Sequence, residues 1–181
     1  PVSYIFGDVL TEVYGFKEAR KVIWIGFFCA LMMSMVVWLI GALPSAPEWT
    51  NQESYNAILG STPRIVLASL VAYFAGSFSN SIILSKLKIT TKGKMLWLRT
   101  MGSTIIGEGV DTLLFIAVAF WGTFSIPLLV SIFISNYIFK VGFEVILTPV
   151  TYKVVGYLKN AEKVDVYDHE IKYNPFVFET R

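Results

Sequence analysis

Long runs in which almost every side chain is apolar alternate along this chain with short connections rich in lysine, glycine and proline. Residues 22–43 and 65–84 contain no charged side chain at all. At about 1.5 Å per helical residue, each can cross a hydrocarbon core of about 30 Å. Two further runs, residues 101–121 and 126–147, are as long and as apolar, but they carry Glu108 and Asp111 in the first and Lys140 and Glu144 in the second. The pattern predicts an all-α polytopic transmembrane helix bundle. Residues 1–15 mix apolar and polar positions, and Tyr4, Asp8 and Glu12 recur every four residues, so they share one face of a helix. That segment reads as the inner end of a further helix whose beginning is absent or re-entrant, and Pro1 in first place suggests a trimmed N-terminus. Residues 54–59, inside the connection 44–64, suit a short surface helix. Pro149 is expected to interrupt the last helix after Leu147, with residues 150–158 continuing as a kinked or interfacial turn. The organisation expected is one transmembrane domain over residues 1–158 and a polar cytoplasmic tail over 159–181, exposed or poorly ordered. No internal repeat is visible.

Composition agrees with the pattern. Apolar residues make up 55% of the 181 and charged residues 15%, where a soluble domain has about 45–50% and about 25%. The net charge of +2 matters less than its placement. Lys17, Arg20 and Lys21 precede the first run, Lys86, Lys88, Lys92, Lys94 and Arg99 separate the second from the third, and Lys153, Lys159, Lys163 and Lys172 follow the fourth. The other connections hold only Arg64. By the positive-inside tendency the basic ends and the C-terminus face the cytoplasm. The same reasoning assigns the basic stretch 86–99 to topology and anionic lipid rather than to nucleic acid.

Ionisable groups inside a membrane span are expensive and mark functional cavities. Glu108 and Asp111 are three apart and share a helical face with Thr104 and Phe115, while Gly102, Gly107 and Gly109 leave room for close helix approach or a ligand. Asn136, Lys140 and Glu144 form a polar stripe on the fourth run. Counting from the cytoplasmic ends puts Glu108 and Lys140 at similar depth, about 10–12 Å in, with Asp111 nearer the midplane. Lys140 then neutralises Glu108 across the helices or Glu144 along its own. Asn80, Ser77 and Ser81 add hydrogen-bonding groups from the second run. A structural staple between helices and a proton relay are the other readings of the same charges.

Enzymatic chemistry finds no support. No histidine lies within a span, no pair has metal-ligand spacing, no glycine-rich phosphate loop occurs, and no cofactor is called for. His169 falls in the tail, where a solvated side chain is expected. Cys29 is the single cysteine, which rules out a disulfide within the chain and a thiolate metal site.

Two stretches carry a resemblance: residues 8–17, DVLTEVYGFK, followed by Ala19 and Arg20, and residues 99–114, RTMGSTIIGEGVDTLL. Through them, and over residues 1–158, the chain resembles the queuosine precursor transporter family, bacterial membrane proteins that import 7-deazaguanine bases. The resemblance implies about six helices in the full protein, the first not included here, and a carrier rather than an enzyme, with a deazapurine substrate and a lipid bilayer around it. A 7-deazaguanine presents adjacent N–H donors, which Glu108, Asp111 or Glu144 would accept as parallel charge-assisted bonds. Asn136 or Asn80 would donate to its exocyclic oxygen, and Phe115, Phe143 or Tyr137 would stack on the ring. An aminomethyl form of the base would pair its cation with a second acid such as Asp111. Asp8 and Glu12 would complete or gate the cavity, and Arg99 and Arg20 would fix the cytoplasmic mouth. Without a nucleotide-binding loop, transport is facilitated, ion-coupled or dependent on an energising subunit, and a homo-oligomer stays open. The rival from another class is a membrane scaffold with structural ion pairs.

Overall fold

The computed structural model describes residues 2–59 and 63–177, and the expectations that rest on Pro1 and on the last four residues of the tail lie outside them. Six helices follow one another: α1 (Val2–Tyr14), α2 (Phe16–Ala42), α3 (Gln52–Ile58), α4 (Pro63–Thr90), α5 (Leu96–Phe120) and α6 (Ile126–Glu162). No strand forms among the described residues. Among the described residues four helical stretches are long and apolar enough to cross a membrane, and they include α2, α4, α5 and α6. The all-α membrane class is therefore as the hydrophobic pattern predicts, with four candidate spans among the described residues. The expected surface helix of the 44–64 connection is α3.

Much of α2 is exposed, including Phe28, Met32, Met35, Trp38 and Leu39. In a membrane these side chains face hydrocarbon, so their exposure carries no cost. The tight core lies between α4 and α5, which pack against each other more extensively than any other pair. Glycines set that approach. A Cβ added to Gly107 would fall 2.6 Å from the Asn80 Cβ, and one added to Gly76 would fall 3.0 Å from the Gly107 carbonyl oxygen. With both side chains missing, the backbones cross close enough to bring α4 and α5 polar groups into one layer.

At Gly15 the chain breaks between α1 and α2 with φ 82 and ψ 172, a conformation that glycine adopts without strain. The Phe16 N–H donates to Asp168 Oδ2 at 2.8 Å, so a tail carboxylate caps the N-terminus of α2. This corrects the expectation of an exposed tail. Val166 N–H donates to the Val13 carbonyl at 3.1 Å, Arg20 Nη1 to the Asn174 carbonyl at 3.0 Å and Trp24 Nε1 to the Pro175 carbonyl at 2.9 Å. Tyr173 packs its ring against Phe16 at 5.3 Å. The tail docks because its two aspartates meet a helix N-terminus and unspent lysines.

Pro149 does not end α6, which runs on to Glu162. Thr148 and Thr151 flank the proline, and their hydroxyls donate to carbonyls of the preceding turn, Thr148 Oγ1 to Glu144 at 2.9 Å and Thr151 Oγ1 to Leu147 at 3.3 Å. Such hydroxyls make a proline tolerable within a membrane helix.

Candidate functional site

Three polar layers succeed one another along α5. At about 1.5 Å per residue, Thr104, Glu108 and Asp111 lie about 12, 18 and 22 Å from Leu96, and Arg99 stands at the basic end.

The layer at the basic end is built on Glu12, which α1 buries completely. Arg99 grips it with a fork, Nη2 to Oε1 at 2.7 Å and Nε to Oε2 at 3.1 Å, and Lys159 Nζ reaches Oε1 at 2.7 Å. Lys88, on α4, donates to Asp165 Oδ1 and to the Val166 carbonyl, both at 2.6 Å, and Lys159 closes the ring on Asp165 at 2.9 Å. Burial alone would raise the Asp165 carboxyl, but hydrogen bonds from Lys88 and Lys159 outweigh it and hold the group below its ordinary value. Every charge here has a partner.

The outer layer centres on Lys140. Its Nζ lies 2.9 Å from Glu108 Oε2, in close contact with Asp111 Oδ2, and 3.3 Å from Thr112 Oγ1. Asp111, Lys140, Phe115, Asn136, Thr112 and Ser69 line a cleft of about 290 Å³ in the half of the bundle away from the lysine-rich end. It has the size at which small-molecule pockets begin, about 300 Å³.

Between these lies a layer whose polar groups are incompletely paired. Asp8 is 0% and Glu144 1% exposed. Asn80 Nδ2 donates to Asp8 Oδ1 at 2.6 Å, while Asp8 Oδ2, Asn80 Oδ1, Thr104 Oγ1 and both oxygens of Glu144 are buried without a hydrogen-bond partner. Buried polar atoms are almost always satisfied, by protein, water or a ligand, so five such oxygens set this layer apart from the other two. A second cleft, of about 330 Å³, opens on this layer between α1, α2 and α4, with Tyr4, Ser77, Asn80 and Ser81 in its wall.

The structure thus gathers Asp111, Lys140, Asn136 and Phe115 at one cleft, with Glu108 buried against Lys140 behind it, and Asp8, Asn80 and Glu144 below. Of the two partners open to Lys140 it takes Glu108, and Asp111 joins the pair. Glu12 belongs to the basic end. Tyr137 and Phe143 stand apart from the cleft: Tyr137 donates to the Ile105 carbonyl at 2.9 Å and stacks on Phe133, and Phe143 packs near Phe139. Arg99 lies buried at the basic end on Glu12, and His169 is exposed beside Tyr167. Among the described residues no group of three or more His, Cys, Asp or Glu side chains is placed to hold a metal ion. Sequence reasoning missed the roles of Lys88, Lys159, Asp165 and Asp168. Their only early sign was Lys88 itself, on the same α4 face as Ser85 and Ser81.

Residues 1–154 match the family model described as "Putative vitamin uptake transporter". The chain belongs to this family. Among curated relatives it is 34% identical over 157 residues to the "Probable queuosine precursor transporter" of Bacillus subtilis, a match covering 86% of this chain and 69% of the relative. It is 28% identical over 158 residues to the protein of the same name in Haemophilus influenzae, covering 86% and 65%. It is 26% identical over 149 residues to the "Queuosine precursor transporter" of Escherichia coli, covering 81% and 65%. The chain spans about two thirds of the length of these relatives. Family and relatives bear names of transporters, not enzymes, and the sequence resemblance is borne out. No solved structure matches. With four apolar spans, the family member described here is a multi-pass membrane protein.

Proposed function

We propose that this protein carries a queuosine precursor, 7-cyano-7-deazaguanine or its aminomethyl relative, across the bacterial inner membrane by alternating access, with its C-terminus in the cytoplasm. The observation that carries the reading is the cleft that joins Asp111, Lys140, Asn136 and Phe115, set in a chain whose relatives are named for that cargo. Each wall offers what a deazaguanine needs. The Asp111 carboxylate accepts adjacent N–H donors from the pyrimidine edge, a charge-assisted arrangement about twice as strong as a neutral one. Asn136 and Lys140 supply donors for the exocyclic oxygen. Phe115 provides the flat face, and stacking of a base on an aromatic ring is worth about 1–3 kcal/mol. An aminomethyl cargo brings a cation, for which the surplus of acid over base in this layer is suited. The lysines between α4 and α5 and beyond α6 support the orientation.

Uptake of labelled 7-cyano-7-deazaguanine into cells that lack their own importer tests the reading. Asp111→Asn is expected to abolish uptake at normal membrane abundance. A scaffold role predicts the opposite split, with abundance falling and no uptake by the unaltered chain.

A further inference from the structure

We infer that Asp8 and Glu144, with the amide oxygen of Asn80 and the hydroxyl of Thr104, form a binding site for a monovalent cation, a proton or Na⁺, that crosses the membrane with the cargo. The inference rests on the carrier reading above and supplies its driving force.

Charge balance is the first argument. The two inner layers of the membrane interior hold four acids, Asp8, Glu108, Asp111 and Glu144, against one base, Lys140, which is engaged by Glu108 and Asp111. No lysine or arginine among the described residues forms an ion pair with Asp8 or Glu144. A buried carboxylate without a cation is strongly disfavoured, and two side by side more so. The ionisable side chains that face this pair are Tyr4 and Glu12 from α1 and Glu108 from α5, none of them a base.

The chemistry of the unpartnered atoms is the second argument. Asp8 Oδ2, Asn80 Oδ1, Thr104 Oγ1 and the two Glu144 oxygens are all oxygens, and two of the four side chains are not acids. An all-oxygen set without sulfur or imidazole suits a hard cation. The absence of a three-acid group among the described residues favours a single charge over a divalent ion. The donors come from α1, α4, α5 and α6, so a rearrangement of these helices that exposes the site to one side or the other also alters its cation affinity. A ligand can shift such an equilibrium only through a difference of that kind.

The full chain reconstituted in vesicles tests this with labelled 7-cyano-7-deazaguanine under an inward proton gradient, an inward Na⁺ gradient, or neither. With one cation per base, a tenfold cation gradient sustains an about tenfold base gradient. Accumulation under the proton gradient alone identifies a proton, and under the Na⁺ gradient alone identifies Na⁺. In Asp8→Asn and Glu144→Gln the ratio of uptake with the gradient to uptake without it falls to one, whatever the absolute rate. Equal uptake under all three conditions, or variants that still follow the gradient, overturns the inference.

A second measurement needs no transport. Purified protein without base should bind one ²²Na⁺ per chain, or show the infrared band of a protonated carboxyl that disappears and returns with pH, and the double variant Asp8→Asn, Glu144→Gln should lose either signal. Absence of both signals from the unaltered protein sinks the cation site even if the base is carried. Their presence without any base uptake leaves the site standing and sinks the carrier reading.

Discussion

The basic end and the middle of this bundle use the same kinds of side chain in opposite ways. Around Glu12 each carboxylate oxygen is met by Arg99 or Lys159, and Asp165 joins Lys88 to Lys159, so the layer is closed. Around Glu144, equally buried, both oxygens lack a partner. On the reading proposed above, the saturated network holds helices together and the unsaturated one holds a place for a ligand; the two layers are alike in burial and charge and differ in the number of unmet oxygens.

Neutralising each layer gives the sharpest contrast. Glu12→Ala strands the Arg99 guanidinium in a buried site, takes one partner from Lys159, and is expected to cost about 3–5 kcal/mol, read as a lower melting temperature in detergent and a fall in membrane abundance. Glu144→Gln removes a charge that has no counterion and should change stability by less than about 1 kcal/mol. Equal losses in the two variants would erase the distinction.

The glycine crossing comes next. Gly107→Ala places a methyl 2.6 Å from the Asn80 Cβ, and overpacking of this kind costs about 1–3 kcal/mol. It should also perturb the middle layer through Asn80, so cation dependence is expected to change along with the melting temperature. The basic end should be unaffected, with Trp24 fluorescence still reporting a docked tail.

Docking of the tail sharpens the comparison from the other side. Asp168→Ala removes the α2 cap and the partner of Ser85 Oγ, which donates at 2.6 Å, and is expected to cost about 0.5–2 kcal/mol. Hydrogen exchange of the first turn of α2 should rise. The smallest effect is the pH response of Asp165. Its folded-state carboxyl sits below its ordinary value, so its contribution is complete above the unfolded value of about 3.9 and is lost as pH falls through the folded one. The group is partly exposed, so the loss is modest. Trp24 fluorescence, sensitive to the bond with Pro175, should report it below about pH 4, and salt should mimic it.

The spans were legible because an uninterrupted apolar run of 20 residues or more has few alternatives, and helical rise put Glu108 at the depth of Lys140 while leaving Glu144 as the lysine's other partner. Asp111 joined Glu108 and Lys140 because the i+3 position lies one turn further along the same face, within reach of a long lysine. The Glu12–Arg99 fork was beyond the sequence, since 87 residues separate its halves and the period that places Glu12 on a helical face does not say what meets that face. The tail was misread for a related reason. A polar, aromatic segment without periodicity looks solvated, and only the conjunction of Gly15, Ser85 and Lys88 in space gives Asp165 and Asp168 something to bind. Pro149 was read as a break because the neighbouring threonines that accommodate it are ordinary in sequence.

Binding of 7-cyano-7-deazaguanine to the purified full chain, ranked against guanine and repeated with Asp111→Asn, tests the central claim most directly. Saturable binding that favours the deazaguanine and weakens at least about tenfold in Asp111→Asn, with an unchanged melting temperature, is the predicted result; a tenfold loss corresponds to about 1.4 kcal/mol. Binding that is indifferent to Asp111, or no binding of the deazaguanine at all, would contradict it.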